Sequence, residues 1–490
     1  MVDLRPVGHV LGLLLVALAA LMLLPMGLDR FTGHGNWLAF LYAGAVTGVS
    51  GGVLALACAN AMGSGLTLKQ SFVLTTAVWV ILPAFGALPL MMGAPQLGLT
   101  DAYFEAVSGM TTTGTTVIGP DRMTGAPGLD HLPMGTNLWR AMLQWLGGLG
   151  IVIVALIFLP VMKVGGMQFF RSEGFDTLGK ILPRAFEISV ALIQIYLGLT
   201  VACAMVFHWL GMSGFDAVVH ALTCVSTGGF SSYDISFGAY LGAPQVAATL
   251  FMILASLPFI RYVQVMRGDV LPLWRDGQVR AFLRWIGYAA LGIVAVTMWR
   301  QGADALYMLR EAAFNVVTIM TGTGYASVDV TAWGGFAFVV LLTVGLIGGC
   351  TSSTVCSVKV FRYLIVIEAV RIQLRRLRQP RAIHQMRYQG QPVTDDVLDS
   401  VIVFFTMFVL TFGALVVGLA LAGLSDRAAL TGAWTAIANI GPVWGAEVGP
   451  SGAVDAFPLA AKWLMILGMI LGRLELLSVY VLLMARFWRD

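Results

Sequence analysis

Apolar stretches near twenty residues long recur from one end of the chain to the other, separated by short polar segments. About twenty residues is the length at which a helix crosses the hydrocarbon of a bilayer. In lipid only helices and closed barrels satisfy their own backbone groups. These stretches are too long and too uniformly apolar for barrel strands, which alternate over about ten residues. The pattern predicts an all-α polytopic membrane protein with ten full spans, near 7–27, 37–61, 70–92, 137–162, 185–210, 245–266, 284–302, 334–377 (interrupted), 397–423 and 457–486. The first run, Val7 to Met26, is longer than a secretory-signal core and has no small-residue cleavage site after it, so it reads as a retained span.

Four segments between spans are too short or too polar to cross. Each starts with an acid or helix cap, continues as a short helix and ends in a small polar cluster. They run from Asp101 to Thr111-Thr112-Thr113-Gly114, from Asp216 to Ser226-Thr227-Gly228-Gly229, from Glu311 to Thr321-Gly322-Thr323-Gly324, and from Asp426 to Asn439-Ile440-Gly441-Pro442. The spacing divides the chain into a two-span extension, 1–65, and four pseudo-symmetric helix–pore loop–helix repeats around one pore: 66–175, 176–270, 271–392 and 393–490. The third repeat carries the interrupted helix and a basic cytoplasmic link. A single Thr/Gly cluster is an ordinary turn; four in register, each after a short helix, point elsewhere. A cation entering a narrow pore must shed water, and inward backbone carbonyls replace that water. The required φ/ψ angles come at little steric cost to glycine. The clusters contain no carboxylate ring, which argues for a monovalent cation over Ca²⁺ or Mg²⁺. Each short helix also aims its C-terminal end, about half a negative charge, toward the membrane centre. Asp101, Asp216, Glu311 and Asp426 are expected at the opposite, N-terminal ends.

Composition agrees with burial in a bilayer: 58% of residues are hydrophobic and 11% charged, against about a quarter charged in soluble proteins. Charge placement sets orientation. Basic residues gather in 359–387, in the link of Arg267, Arg275, Arg280 and Arg284, in that of Lys163, Arg171, Lys180 and Arg184, and at Arg486 and Arg489. The opposite loops hold Asp101, Asp121, Asp130, Asp216, Asp234, Asp329 and Asp455. Both termini are therefore expected in the cytoplasm. Two readings of the basic 371–387 run stand open: a solvated face against anionic lipid, or contact with a cytoplasmic partner. The five cysteines and six histidines show no metal or triad spacing, so neither a metal centre nor a hydrolytic enzyme is indicated. The full spans are nearly free of carboxylates, which argues against a solute pocket of the secondary-transporter kind.

At these residues the chain resembles the superfamily of K⁺ transporters containing the bacterial Trk and Ktr membrane subunits, specifically the TrkH type. The supporting motifs are Gln144 to Gly150, Gly166 to Glu173, Gly348-Gly349-Cys350, Asn439 to Pro442 and Gly472 to Leu476. The two-span extension is a TrkH-type feature. The resemblance implies K⁺ uptake, channel-like or as H⁺-coupled symport, at the bacterial cytoplasmic (inner) membrane, through a K⁺-binding filter. The filter glycines would be Gly114, Gly228, Gly324 and Gly441. They would be preceded by Thr112 and Thr113, Ser226 and Thr227, Gly322 and Thr323, and Asn439 and Ile440. Such a short filter is expected to discriminate against Na⁺ less than four identical filter strands do. The resemblance also implies a homodimer in membrane lipid, a TrkA-like nucleotide-binding regulatory ring, and no nucleic acid. K⁺ is the transported ion and no other cofactor is expected.

The interruption in 334–377 holds Gly348, Gly349, Thr351, Ser352, Ser353 and Lys359. It reads either as a Gly/Ser kink or, as the resemblance implies, as a mobile gating loop below the filter. The family has several glycines where this chain has Thr354-Val355-Cys356-Ser357. Arg473, near the middle of the last span, is expected to face the aqueous pore and repel cations, with a structural salt bridge as the alternative. Lys359 has the same two readings.

Overall fold

The computed structural model describes residues 3–61, 66–120, 128–153, 185–302, 304–379, 381–382 and 385–489. The Gly166–Glu173 motif, the link of Lys163, Arg171, Lys180 and Arg184, Asp121, His384 and the end of the fourth span lie outside the described residues.

Among the described residues, six helices are long and apolar enough to cross a membrane: Arg5–Phe31, Trp37–Ala57, Leu68–Met92, Ser189–Trp209, Gly277–Arg300 and Asp395–Leu421. Met134–Ile153 forms a further helix up to the edge of the described residues. Gly335–Ile347 and Val360–Arg378 flank the interruption.

Two stretches that the apolar pattern reads as continuous spans are broken. Ala243–Ala255 meets Phe259–Val265 at 94°, and Leu459–Arg473 meets Leu477–Leu483 at 112°. Pro258 accounts for the first break, because the residue before a proline is driven out of the α region. The second contains neither Pro nor Gly. There Glu475 and Leu476 take left-handed φ values of 56° and 49°, a strained conformation that persists only when the surroundings hold it.

The short helices are Leu99–Met110, Gly214–Val225, Ala305–Met320 and Asp426–Ala438. Asp101, Asp216 and Asp426 occupy first turns, as expected. Glu311 does not: the third helix begins six residues earlier, capped by Asp304, whose side chain accepts from Tyr307 N. Glu311 sits mid-helix and fully buried.

Two large apolar clusters build the interior. One joins the second and third repeats through residues such as Phe237, Phe259, Phe314 and Tyr325. The other joins the N-terminal extension to the first and fourth repeats through Phe40, Trp139, Phe404 and Met469. The extension packs on itself through small residues: a Cβ on Gly51 would lie 2.7 Å from Gly12 O. Close backbone approach of this kind replaces the hydrophobic drive that helices lack in lipid. Buried Asp29 ties the extension to the first repeat, accepting from Gly135 N at 2.6 Å and Asn36 Nδ2 at 2.9 Å.

Candidate functional site

The four clusters share one backbone form. Each short helix is followed by a residue with left-handed φ, at Thr112 (52°), Thr227 (52°), Gly322 (70°) and Asn439 (53°). Two residues later comes a glycine with positive φ: Gly114 (86°), Gly229 (77°), Gly324 (80°) and Gly441 (112°). Turn hydrogen bonds fix the same register. Thr113 and Gly114 donate to Ser108 O, Gly228 and Gly229 to Thr223 O, and Thr323 and Gly324 to Thr318 O. Ile440 donates to Thr435 O, and Gly441 N to Thr435 Oγ1. The second loop therefore corrects the sequence expectation by one residue. Gly229, and not Gly228, matches the other three glycines, and Ser226 matches Thr111 as the helix C-cap.

The glycines close a ring. A Cβ on Gly114 would lie 2.2 Å from Gly228 O, one on Gly229 1.8 Å from Thr323 O, one on Gly324 2.0 Å from Ile440 O, and one on Gly441 2.8 Å from Thr113 O. Each repeat thus packs its glycine on the carbonyl of the next, and the fourth returns to the first. Side chains reinforce the closure: Thr115 Oγ1 donates to Gly441 O at 2.7 Å and Asn439 Nδ2 to Thr113 Oγ1 at 2.8 Å. The long helices approach as closely, since a Cβ on Gly147 would lie 1.8 Å from Met110 O and one on Gly472 2.1 Å from Ile437 O. Gln144, from the same motif as Gly147, donates to Gly228 O at 2.5 Å and accepts from Phe230 N at 3.0 Å.

Behind the loops, acids in the short helices brace the returning chain. The sequence reading gave Glu105 no role, yet it accepts from Val117 N at 2.9 Å and pairs with Arg140 at 2.8 Å, both side chains buried. Asp216 accepts from Ser232 Oγ and from the Tyr233 and Tyr240 hydroxyls. Glu311 accepts from Ser327 Oγ at 2.6 Å and Gln245 Nε2 at 2.9 Å. In the fourth repeat Thr431 substitutes, exchanging bonds with Trp444. The available signal was an uncompensated carboxylate inside an apolar helix, which must find a partner. His220 is a packing residue, buried between Asp216 O and Ser231 Oγ.

The interruption, 348–359, is buried beneath these loops. Thr227 Oγ1 bonds Thr354 Oγ1 at 3.1 Å. The interruption also satisfies the backbone groups freed by the Pro258 break. Cys350 N donates to Ser256 O, Phe259 N to Ser352 O, and Thr354 Oγ1 to Ala255 O. Irregular backbone at membrane depth needs such partners. Thr351 bonds Gln278 Oε1 through both N and Oγ1, and Ser353 Oγ bonds Cys350 O. Gly348 (φ 77°) and Gly349 turn the chain where a Cβ would meet Cys356 O at 2.6 Å and Val355 at 2.7 Å.

Arg473 does not form the salt bridge that was the alternative to a pore-facing position. It is 1% exposed and pairs with no carboxylate among the described residues. Its Nη2 donates to Gly147 O at 2.8 Å, while Nη1 contacts Cys356 Sγ at 2.6 Å and Thr354 O at 3.3 Å. It fastens the interruption to the first repeat. Lys359 takes the ion-pair reading: its Nζ lies 2.6 Å from Glu475 Oε1, and Arg362 holds the other carboxylate oxygen. All three are buried. These two ion pairs tie the Glu475–Leu476 break to the start of the Val360–Arg378 helix.

A sequence model of the TrkH family, described as a cation transport protein, matches residues 38–489. The Trk system potassium uptake protein TrkI of Halomonas elongata is 42% identical over 489 residues, covering 99% of this chain and 97% of that one. The Trk system potassium uptake protein TrkH of Escherichia coli K12 is 31% identical over 494 residues, 99% of each chain. The crystal structure of the potassium transporter TrkH from Vibrio parahaemolyticus superposes with a TM-score of 0.88 at 29% identity over 100% of both chains. Matched over nearly its whole length in sequence and in fold, the chain belongs to the TrkH family of cation transport proteins.

Proposed function

We propose that this protein takes up K⁺ across the bacterial cytoplasmic membrane through a carbonyl-lined filter at the junction of its four loops. The closed ring of glycine–carbonyl approaches carries the reading. It brings the carbonyls of Thr113, Gly228, Thr323 and Ile440 against the glycines of neighbouring loops, which supports their standing in for the hydration shell of the ion. The C-terminal ends of four short helices add a negative potential there. Relatives named as potassium uptake proteins supply the choice of ion. The 348–359 segment is the gate, touching the filter at Thr354 and held shut by Arg473 and by the Lys359–Glu475–Arg362 cluster. An even number of spans with the basic links on one side supports both termini in the cytoplasm, where a TrkA-like nucleotide-binding ring would act on a homodimer.

The test is ⁸⁶Rb⁺ uptake into proteoliposomes, with competing K⁺ and Na⁺, with imposed pH gradients, and with or without the regulatory ring. Uptake displaced by K⁺ at lower concentration than by Na⁺ is expected. Purified, folded protein that passes no alkali cation in any of these conditions would end the proposal.

A further inference from the structure

The Gly277–Gln301 helix has 25 residues and is roughly 37 Å long. Its C-terminal end leads into the third short helix. At its N-terminal end three stretches distant in sequence border an open hollow of about 640 Å³. Six arginines line it, Arg261, Arg275, Arg280, Arg284, Arg371 and Arg387, against two carboxylates, Asp276 and Glu368. Both carboxylates are engaged, Asp276 by Arg261 at 3.0 Å and Glu368 by Arg371 at 3.4 Å. Among the described residues no carboxylate pairs with Arg275, Arg280, Arg284 or Arg387. Solvated basic loops spread their like charges apart; here the tertiary fold gathers them around one cavity. The adjoining edge is apolar, with Met266, Leu271 and Trp274 each more than half exposed. Exposed Trp and aliphatic side chains beside basic ones mark the headgroup level of a membrane.

We propose that this hollow binds the phosphate of an anionic phospholipid headgroup, and that its occupancy is linked to the gate segment. Guanidinium forks match phosphate oxygens in pairs, which favours arginine over lysine for this ligand. Basic pockets between helices on the cytoplasmic side suit such headgroups. The link to the gate is short. Asp276 caps the helix by accepting from Gln278 N at 2.9 Å, and Gln278 Oε1 holds Thr351. Arg261 stands two residues after Phe259, whose N donates to Ser352 O. A phosphate that competes with Asp276 for Arg261 therefore acts on both attachments of the gate segment.

The full-length chain and an R275Q/R280Q/R284Q variant are reconstituted in phosphatidylcholine with or without phosphatidylglycerol. Retained lipid is counted by native mass spectrometry, and thermal unfolding in phosphatidylcholine checks that the variant is folded. The wild type is expected to retain phosphatidylglycerol, the variant to bind it on the order of a hundredfold more weakly, and R275K/R280K/R284K to fall between them. Equal retention by wild type and the glutamine variant overturns the site. Inorganic pyrophosphate is the second probe; saturable binding of it with no phosphatidylglycerol retained overturns the lipid assignment in favour of a soluble phosphate. ⁸⁶Rb⁺ flux should depend on phosphatidylglycerol in the wild type alone, and equal dependence in both overturns the link to the gate. Only that flux arm rests on the proposed transport function; lipid retention is read without it.

Discussion

The register of the second loop yields the sharpest prediction. Gly229→Ala places a Cβ 1.8 Å from Thr323 O, and real Cβ contacts stay above about 3.0 Å. The second and third loops must then separate by about 1.2 Å. The obstacle is backbone, so no side-chain truncation relieves it. The φ of 77° at Gly229 adds about 1–2 kcal/mol of strain for any residue with a Cβ. That strain alone lowers the population of the native loop roughly 5- to 30-fold, before the collision is counted. Gly228→Ala differs in kind. Its φ lies outside the left-handed region, and its Cβ would meet the Gln144 amide at 2.4–2.8 Å, an obstacle that Gln144→Ser removes. The assay is ⁸⁶Rb⁺ uptake into proteoliposomes with Na⁺ and K⁺ competition. Gly229→Ala should lose at least tenfold in flux or in K⁺-over-Na⁺ preference, with no rescue by a second substitution. Gly228→Ala should be partly rescued by Gln144→Ser. Wild-type flux and selectivity in Gly229→Ala would refute the register and the ring built on it.

Three further outcomes are expected. Glu475→Gln leaves Lys359 and Arg362 buried without a counter-charge and should cost about 3–5 kcal/mol, read as a lower unfolding temperature in detergent; an unchanged midpoint would show that the cluster is not buried together. Arg473→Ala removes the donors to Gly147 O and Thr354 O, so if the 348–359 segment is the gate proposed above, ⁸⁶Rb⁺ flux without the proposed regulatory ring should rise; unchanged or lower flux at normal expression counts against a gating role. Arg140→Met strands the Glu105 carboxylate and should destabilise the protein by a similar 3–5 kcal/mol, whereas a paired Arg140→Met/Glu105→Gln variant should recover part of that loss in the same thermal assay.

The bilayer makes much of this chain readable one segment at a time. Lipid offers no hydrogen bonds, so each span must close its own ladder within about twenty residues, and that local requirement is written directly in the apolar pattern. The four small polar clusters follow for the same reason, since chain of that composition at membrane depth has to line a cavity or be buried in protein. Asp101, Asp216 and Asp426 in the first turns of their helices were legible because the preference for acids there is local. What the pattern could not reach was any choice made between segments. Gly228 and Gly229 are adjacent and both allowed by local sequence; only the carbonyl of Thr323, from the next repeat, selects Gly229. The break at Glu475 carries no Pro or Gly signal, and the partners of its carboxylate, Lys359 and Arg362, lie 116 and 113 residues away. Glu105 finds Arg140, and Arg473 finds Gly147 and Thr354, in the same way. A buried charge must be neutralised or hydrogen-bonded, which sequence states as a demand; which group meets that demand was decided only by the tertiary fold.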